Sequence, residues 1–159
     1  MENNHGKDLD DYLQIIFQIL DFLVEEEYSK EEHNFYIELL KKYFSESYFK
    51  FANNPEFLFY IGFIASTGEW YFNIEWKEIE SMLKKAACLE PDNLLYRWGY
   101  ISIPDQRIEV NSEMKYLLSK RIIENDLLTS RIKKKGVLGE YLLEFIQHDN
   151  ESTGKFLTN

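Results

Sequence analysis

The sequence predicts an all-α protein: about seven helices in antiparallel hairpins, stacked as one α-solenoid-like domain. Three observations point there. Gly and Pro are scarce, at seven and three in 159 residues, which starves the chain of the turns that β structure needs. Apolar residues recur at helical spacing in nearly every segment. No linker of domain-boundary length interrupts them, so residues 8–148 read as a single helical domain. A disordered start at 1–7 and a flexible tail at 149–159 flank it.

Taken in order, Asp8, Asp10 and Asp11 favour the N-terminal dipole of a first helix, about Asp8 to Glu27. Gln14, Gln18 and Asp21, at i, i+4 and i+7, form a narrow wet stripe on an otherwise apolar helix. Such a helix is expected to be well buried, with one edge in water. The apolar run Tyr12 to Val24 is too short to span a bilayer. Ser29 and Glu32 form a capping box for a second helix, which carries Tyr36, Leu40, Phe44, Tyr48 and Phe51 along one face. A short connection makes these two an antiparallel hairpin.

Asn53 or Asn54 then caps a helix whose first position is Pro55, where the missing N–H costs nothing. Phe57, Leu58, Ile61, Ile64 and Ala65 recur at helical spacing until Thr67-Gly68 breaks the run. The next helix places Ile79, Leu83 and Ala86 on one face and stops before Pro91. Residues 53–93 resemble a tetratricopeptide repeat (TPR): Leu58, Ile61, Gly62 and Ala65 match its first helix, Ile79, Leu83 and Ala86 its second, and LEPDN its closing turn. The unit is about five residues longer than that repeat, the excess lying in GEWYFNIEW, and Ile79 stands where the repeat has a small residue. The resemblance implies repeat-like helical packing rather than a regular array.

Asp92 or Asn93 caps a fifth helix, about Asp92–Ile103, which Pro104 stops. PDQRIEVN reads as a loop, and Asn111 or Ser112 caps a sixth helix bearing Met114, Leu117, Leu118, Ile122 and, if unbroken, Leu128 and Ile132. Lys133-Lys134-Lys135-Gly136 suits its end, where cations meet the C-terminal dipole and Gly takes the left-handed cap. Val137 to Gln147 forms the seventh, with Leu138, Tyr141, Leu142, Phe145 and Ile146 as its apolar set.

Chemistry is hard to find. His5, His33 and His148 are far apart, and no HExxH, paired-Cys, phosphate-loop or GxSxG motif occurs. Glu75 with Glu78, or Glu27 with Glu31, has a metal-like spacing but no accompanying His, so solvated charges are expected. No catalytic residue, metal or cofactor is therefore expected. The single cysteine, Cys88, fits a reducing cytoplasm and is expected to be a buried small hydrophobe. The acidic start MENNHGKDLDD gives no sign of a secretory leader.

Charge says more. The net charge is −10, and residues 1–56 hold 13 acids against five bases. Glu25, Glu26, Glu27, Glu31 and Glu32 concentrate it on the first hairpin, where it serves either as a solvated face or to steer a basic partner. Direct binding of nucleic acid is disfavoured, since phosphates would be repelled and Lys133–Lys135 is too small a patch. A second candidate surface is Glu69, Trp70, Tyr71 and Glu75, in the excess length of the repeat-like unit, because Trp and Tyr beside acids often form a contact hot spot.

NPEFLFYIGFI, the GEWY insertion and LEPDN followed by LYRWGY, in a small acidic chain, resemble bacterial immunity proteins of polymorphic-toxin and contact-dependent growth inhibition systems. That resemblance implies an all-helical cytoplasmic protein that binds and neutralises a cognate toxin domain, often a nuclease and here a basic one. It carries over no contact residues, because such families vary most where they bind. The alternative is a TPR-like adaptor or chaperone that holds a peptide in a helical groove. An enzyme with a site assembled across helices is the third reading.

Overall fold

The computed structural model describes residues 9, 11–16, 18, 34, 35, 38, 42, 50–67, 74–102 and 108–157, with backbone alone for 108–111 and 153–157. Apart from turns and caps, these residues are helical, and no strand occurs among them. Six helices have defined ends: α1 (Pro55–Thr67), α2 (Trp76–Leu89), α3 (Leu94–Ser102), α4 (Ile108–Ile123), α5 (Asp126–Lys133) and α6 (Val137–Leu157). Two compact units divide the chain, Met1–Met82 and Leu83–Asn159.

The first unit is organised on α1. Asn54 is its cap: the side-chain Oδ1 accepts from the Phe57 amide at 3.0 Å, and the carbonyl accepts from Leu58 at 3.0 Å. The spacing predicts one apolar face, but every residue from Phe57 to Ala65 is buried. A helix apolar on all sides belongs in an interior, and Phe59, Tyr60 and Phe63 complete the circle that Leu58 and Ile61 begin. At its end the hydroxyls of Ser66 and Thr67 donate to the carbonyls of Phe63 (2.7 Å) and Ile64 (2.8 Å).

The chain before α1 packs on this core. Leu9, Leu13 and Ile16 are buried at i, i+4 and i+7, while Gln14 and Gln18 of the expected wet edge are exposed, together with Asp11 and Ile15. Tyr12 lies 6.4 Å, ring centre to ring centre, from both Phe51 and Phe57, and those two are 5.4 Å apart. Asp21, the capping box at Ser29 and Glu32, the apolar set Tyr36–Tyr48 and the start at 1–7 lie outside the described residues.

Helix α2 buries Ile79, Met82, Leu83 and Ala86. Cys88 lies on the opposite side and is exposed, which corrects the expectation of a buried thiol. Asn93 closes the following turn and caps α3, its Oδ1 accepting from the amides of Leu95 (3.1 Å) and Tyr96 (3.3 Å).

In the second unit α4 packs on α3 and α6, and α5 packs on α6 and α4. Leu95, Trp98, Leu118, Ile122, Ile132, Leu138, Leu142 and Ile146 are among its buried apolar side chains. Three boundaries depart from the sequence reading. Residues 108–111 of the expected loop already belong to α4. The expected sixth helix is broken at Asn125, whose extended backbone (φ −100°, ψ 92°) and side-chain bond to the Leu128 amide (3.0 Å) cap a separate α5. Finally, α6 runs past Gln147 to Leu157, because Asp149 is buried and held rather than lying in a polar tail.

Two glycines shape the bend between α5 and α6. Gly136 adopts the left-handed conformation (φ 64°), as its place after three lysines predicts. At Gly139 a Cβ would collide with the carbonyl oxygen of Ile132, so only glycine lets α6 start this close to α5. A backbone oxygen in a capped turn has little room to retreat. Gly139→Ala is expected to destabilise the chain by about 1–3 kcal/mol, seen as a lower urea midpoint with an unchanged slope.

Candidate functional site

Of the residues that the sequence nominates for partner contact, Glu25, Glu26, Glu27, Glu31, Glu32, Glu69, Trp70 and Tyr71 lie outside the described residues. Glu75 is exposed just ahead of α2, and its carbonyl accepts from the amides of Glu78 (2.8 Å) and Ile79 (3.3 Å). Its carboxylate thus stands at the start of a helix, where a negative charge is favoured. Glu78 and His148 are exposed as well. Among the described residues no three His, Cys, Asp or Glu side chains come together as a metal site.

Among the described residues, the second unit holds a largely buried ionic cluster that the sequence alone does not reveal. Asp149 on α6 meets Lys115 of α4 at 2.7 Å, and the Ser102 hydroxyl of α3 donates to its other oxygen at 3.3 Å. Burying a carboxylate costs several kcal/mol unless cations and donors replace water. Here one ammonium and one hydroxyl do so, which makes the cluster a structural tie between three helices. Lys115 keeps 27% of its side chain exposed against 11% for Asp149, so the lysine could turn toward water if left alone and the acid could not. Lys115→Met is therefore expected to cost about 2–3 kcal/mol and Asp149→Asn only about 1–2 kcal/mol. Urea unfolding of the two variants measures the difference, and the reverse order would mean that the lysine is the trapped partner.

The outer face of α6 is the strongest candidate surface. The sequence gives Leu138, Tyr141, Leu142, Phe145 and Ile146 as one apolar set, but the helix divides them. Leu138, Leu142 and Ile146, at i, i+4 and i+8, are at most 2% exposed. Tyr141 (38%), Phe145 (40%) and Val137 (55%) are partly exposed. Counting by 100° per residue separates the two groups, and the acids Glu140, Glu144 and Glu151 fall along the outward edge beside the aromatics. The two rings meet edge to face, 5.0 Å between centres at 64°. On α4 the same division leaves Met114 and Leu117 exposed while Leu118 and Ile122 are buried.

Tyr141 reports on this setting. Partial burial of its phenol, and then the nearby Glu144 carboxylate, push its pKa above the usual 10.0. The contribution to stability is present below the unfolded value and is lost as pH rises through the folded one, because the unfolded chain releases this proton first. Glu144→Gln removes the second cause and is expected to bring the Tyr141 transition down toward 10.0, read from the ring carbon shift in a tyrosine-labelled NMR titration.

No family model, characterised protein or solved structure matches the chain. Among the described residues, no helix is long and apolar enough to cross a membrane.

Proposed function

We propose that the chain is an immunity protein, of the kind that its NPEFLFYIGFI and LEPDN stretches resemble. It binds a cognate basic toxin domain in the bacterial cytoplasm, one to one, and blocks it. A nuclease is the target best suited to an acidic inhibitor, because carboxylates can occupy positions that otherwise receive phosphates.

The observation that supports this reading is the outer face of α6. There the partly exposed rings of Tyr141 and Phe145 lie beside Glu140 and Glu144 on a helix anchored from behind by Leu138, Leu142 and Ile146. Rings on a rigid element supply affinity at small entropic cost, and the neighbouring acids supply orientation and rate. The net charge of −10, most of it carried by residues 1–56, extends the attraction for a basic partner beyond contact distance.

The test is a pull-down from the native bacterium with the purified chain as bait, followed by an activity assay of whatever is captured. One basic toxin domain, recovered at equal stoichiometry and silenced by one equivalent of the chain, is the expected result. Several unrelated proteins, or peptides only, would point instead to an adaptor.

A further inference from the structure

We infer that the outward face of α4 is a two-fold contact between two copies of this chain, with the two helices antiparallel and Leu117 at the axis. The inference uses neither α6 nor the acids of the first unit, and it stands independently of the neutralisation reading.

Six exposed side chains make up the face: Glu113, Met114, Leu117, Lys120, Arg121 and Glu124. At 100° per residue they all fall within about 60° of Leu117, while Leu118, Ser119 and Ile122 turn inward and are buried. Leu117, 45% exposed, is at the centre, and Met114, 42% exposed, lies one turn before it. Lys120 meets Glu124 of its own helix at 3.9 Å, and both remain exposed.

The order of these residues suits their own mirror in an antiparallel helix. Glu113 and Lys120 lie to one side of Leu117, four residues before it and three after. A second copy running the other way brings its Lys120 to within about 1.5 Å of the level of Glu113 along the axis. Symmetry makes that pair twice. Met114 and Arg121 lie to the other side, three residues before and four after, so each thioether rests against the apolar stem of the other copy's Arg121. Leu117 covers its own equivalent. Acid meets base and apolar meets apolar, which is the self-complementarity that an isologous contact requires.

Charge selects the occupant. The face carries two acids and two bases, so a surface of one sign, a phosphate backbone included, would set like charges against half of it. The net charge of −10 does not forbid the contact, because it resides in the first unit: residues 1–82 hold 17 acids against six bases, and residues 83–159 hold 11 against 12. Glu113 to Glu124 spans about 16 Å of helix. That is short for an interface, so the dimer is expected to be weak, with a dissociation constant of roughly 0.1–1 mM.

Sedimentation equilibrium of the full-length chain, from micromolar to low millimolar concentration, is the test. A monomer–dimer equilibrium is expected. Leu117→Lys sets two ammonium groups at the axis and should raise the dissociation constant about tenfold or more. Glu113→Lys faces Lys120 with a second lysine and should raise it about threefold to tenfold, whereas Glu113→Lys/Lys120→Glu restores opposite charges across the axis and should recover most of that loss. All three positions are exposed, so the variants are expected to fold, with helical circular dichroism as the check. A chain that stays monomeric throughout, a dimer indifferent to Leu117→Lys, or a double exchange that associates no better than Glu113→Lys alone would overturn the assignment.

Discussion

A carboxylate inside a helical unit is an unstable arrangement until something replaces its water, and in this chain that requirement falls on Asp149. Its two oxygens are taken by Lys115 and by Ser102, so a single side chain on α6 fixes the positions of α4 and α3. The apolar contacts among Leu118, Ile122, Leu142 and Ile146 supply most of the driving force, as they do in any such core. They are tolerant of sliding and rotation, however, whereas an ion pair at 2.7 Å is not. The rotation of α6 about its own axis is set by this tie together with the buried stripe Leu138, Leu142 and Ile146. That rotation decides which of its residues face water.

The outward side of α6 is thus a product of the inward side. With Asp149, Leu142 and Leu138 held against their neighbours, Glu140, Tyr141, Glu144 and Phe145 have nowhere to point but out. Gly136 and Gly139 contribute at the other end, the first by turning the chain and the second by letting the helix begin close against Ile132. A pair of exposed rings would be an aggregation liability on a neutral helix. The three carboxylates that flank it lessen that liability.

How much of this was legible depends on how local the physics is. The caps at Asn54 and Asn93 and the left-handed turn at Gly136 were readable because each involves only the next few residues. The break at Asn125 was not, because apolar spacing from Leu118 through Ile132 continues across it and one polar residue within a periodic run is a weak signal. The tie at Asp149 was invisible for a different reason: the Ser102 hydroxyl that helps satisfy it lies 47 residues away. At α6 the signal was present but read too coarsely, since Leu138, Leu142 and Ile146 form a stripe that leaves Tyr141 and Phe145 beside the acids. The acids from Glu25 to Glu32, and Trp70 with Tyr71, stand out by composition and neighbourhood alone, and they lie outside the described residues.

The span of the Asp149 tie also has a kinetic consequence. Within the second unit, α4, α5 and α6 are joined by connections of a few residues, so their pairings close small loops and can form early. The bond from α6 back to α3 closes across 47 residues, a longer loop whose closure is expected to follow those local pairings. An interaction that arrives after the rate-limiting step does little to hasten folding, but it must be broken on the way out. Its contribution then lies chiefly in how slowly the native state is lost.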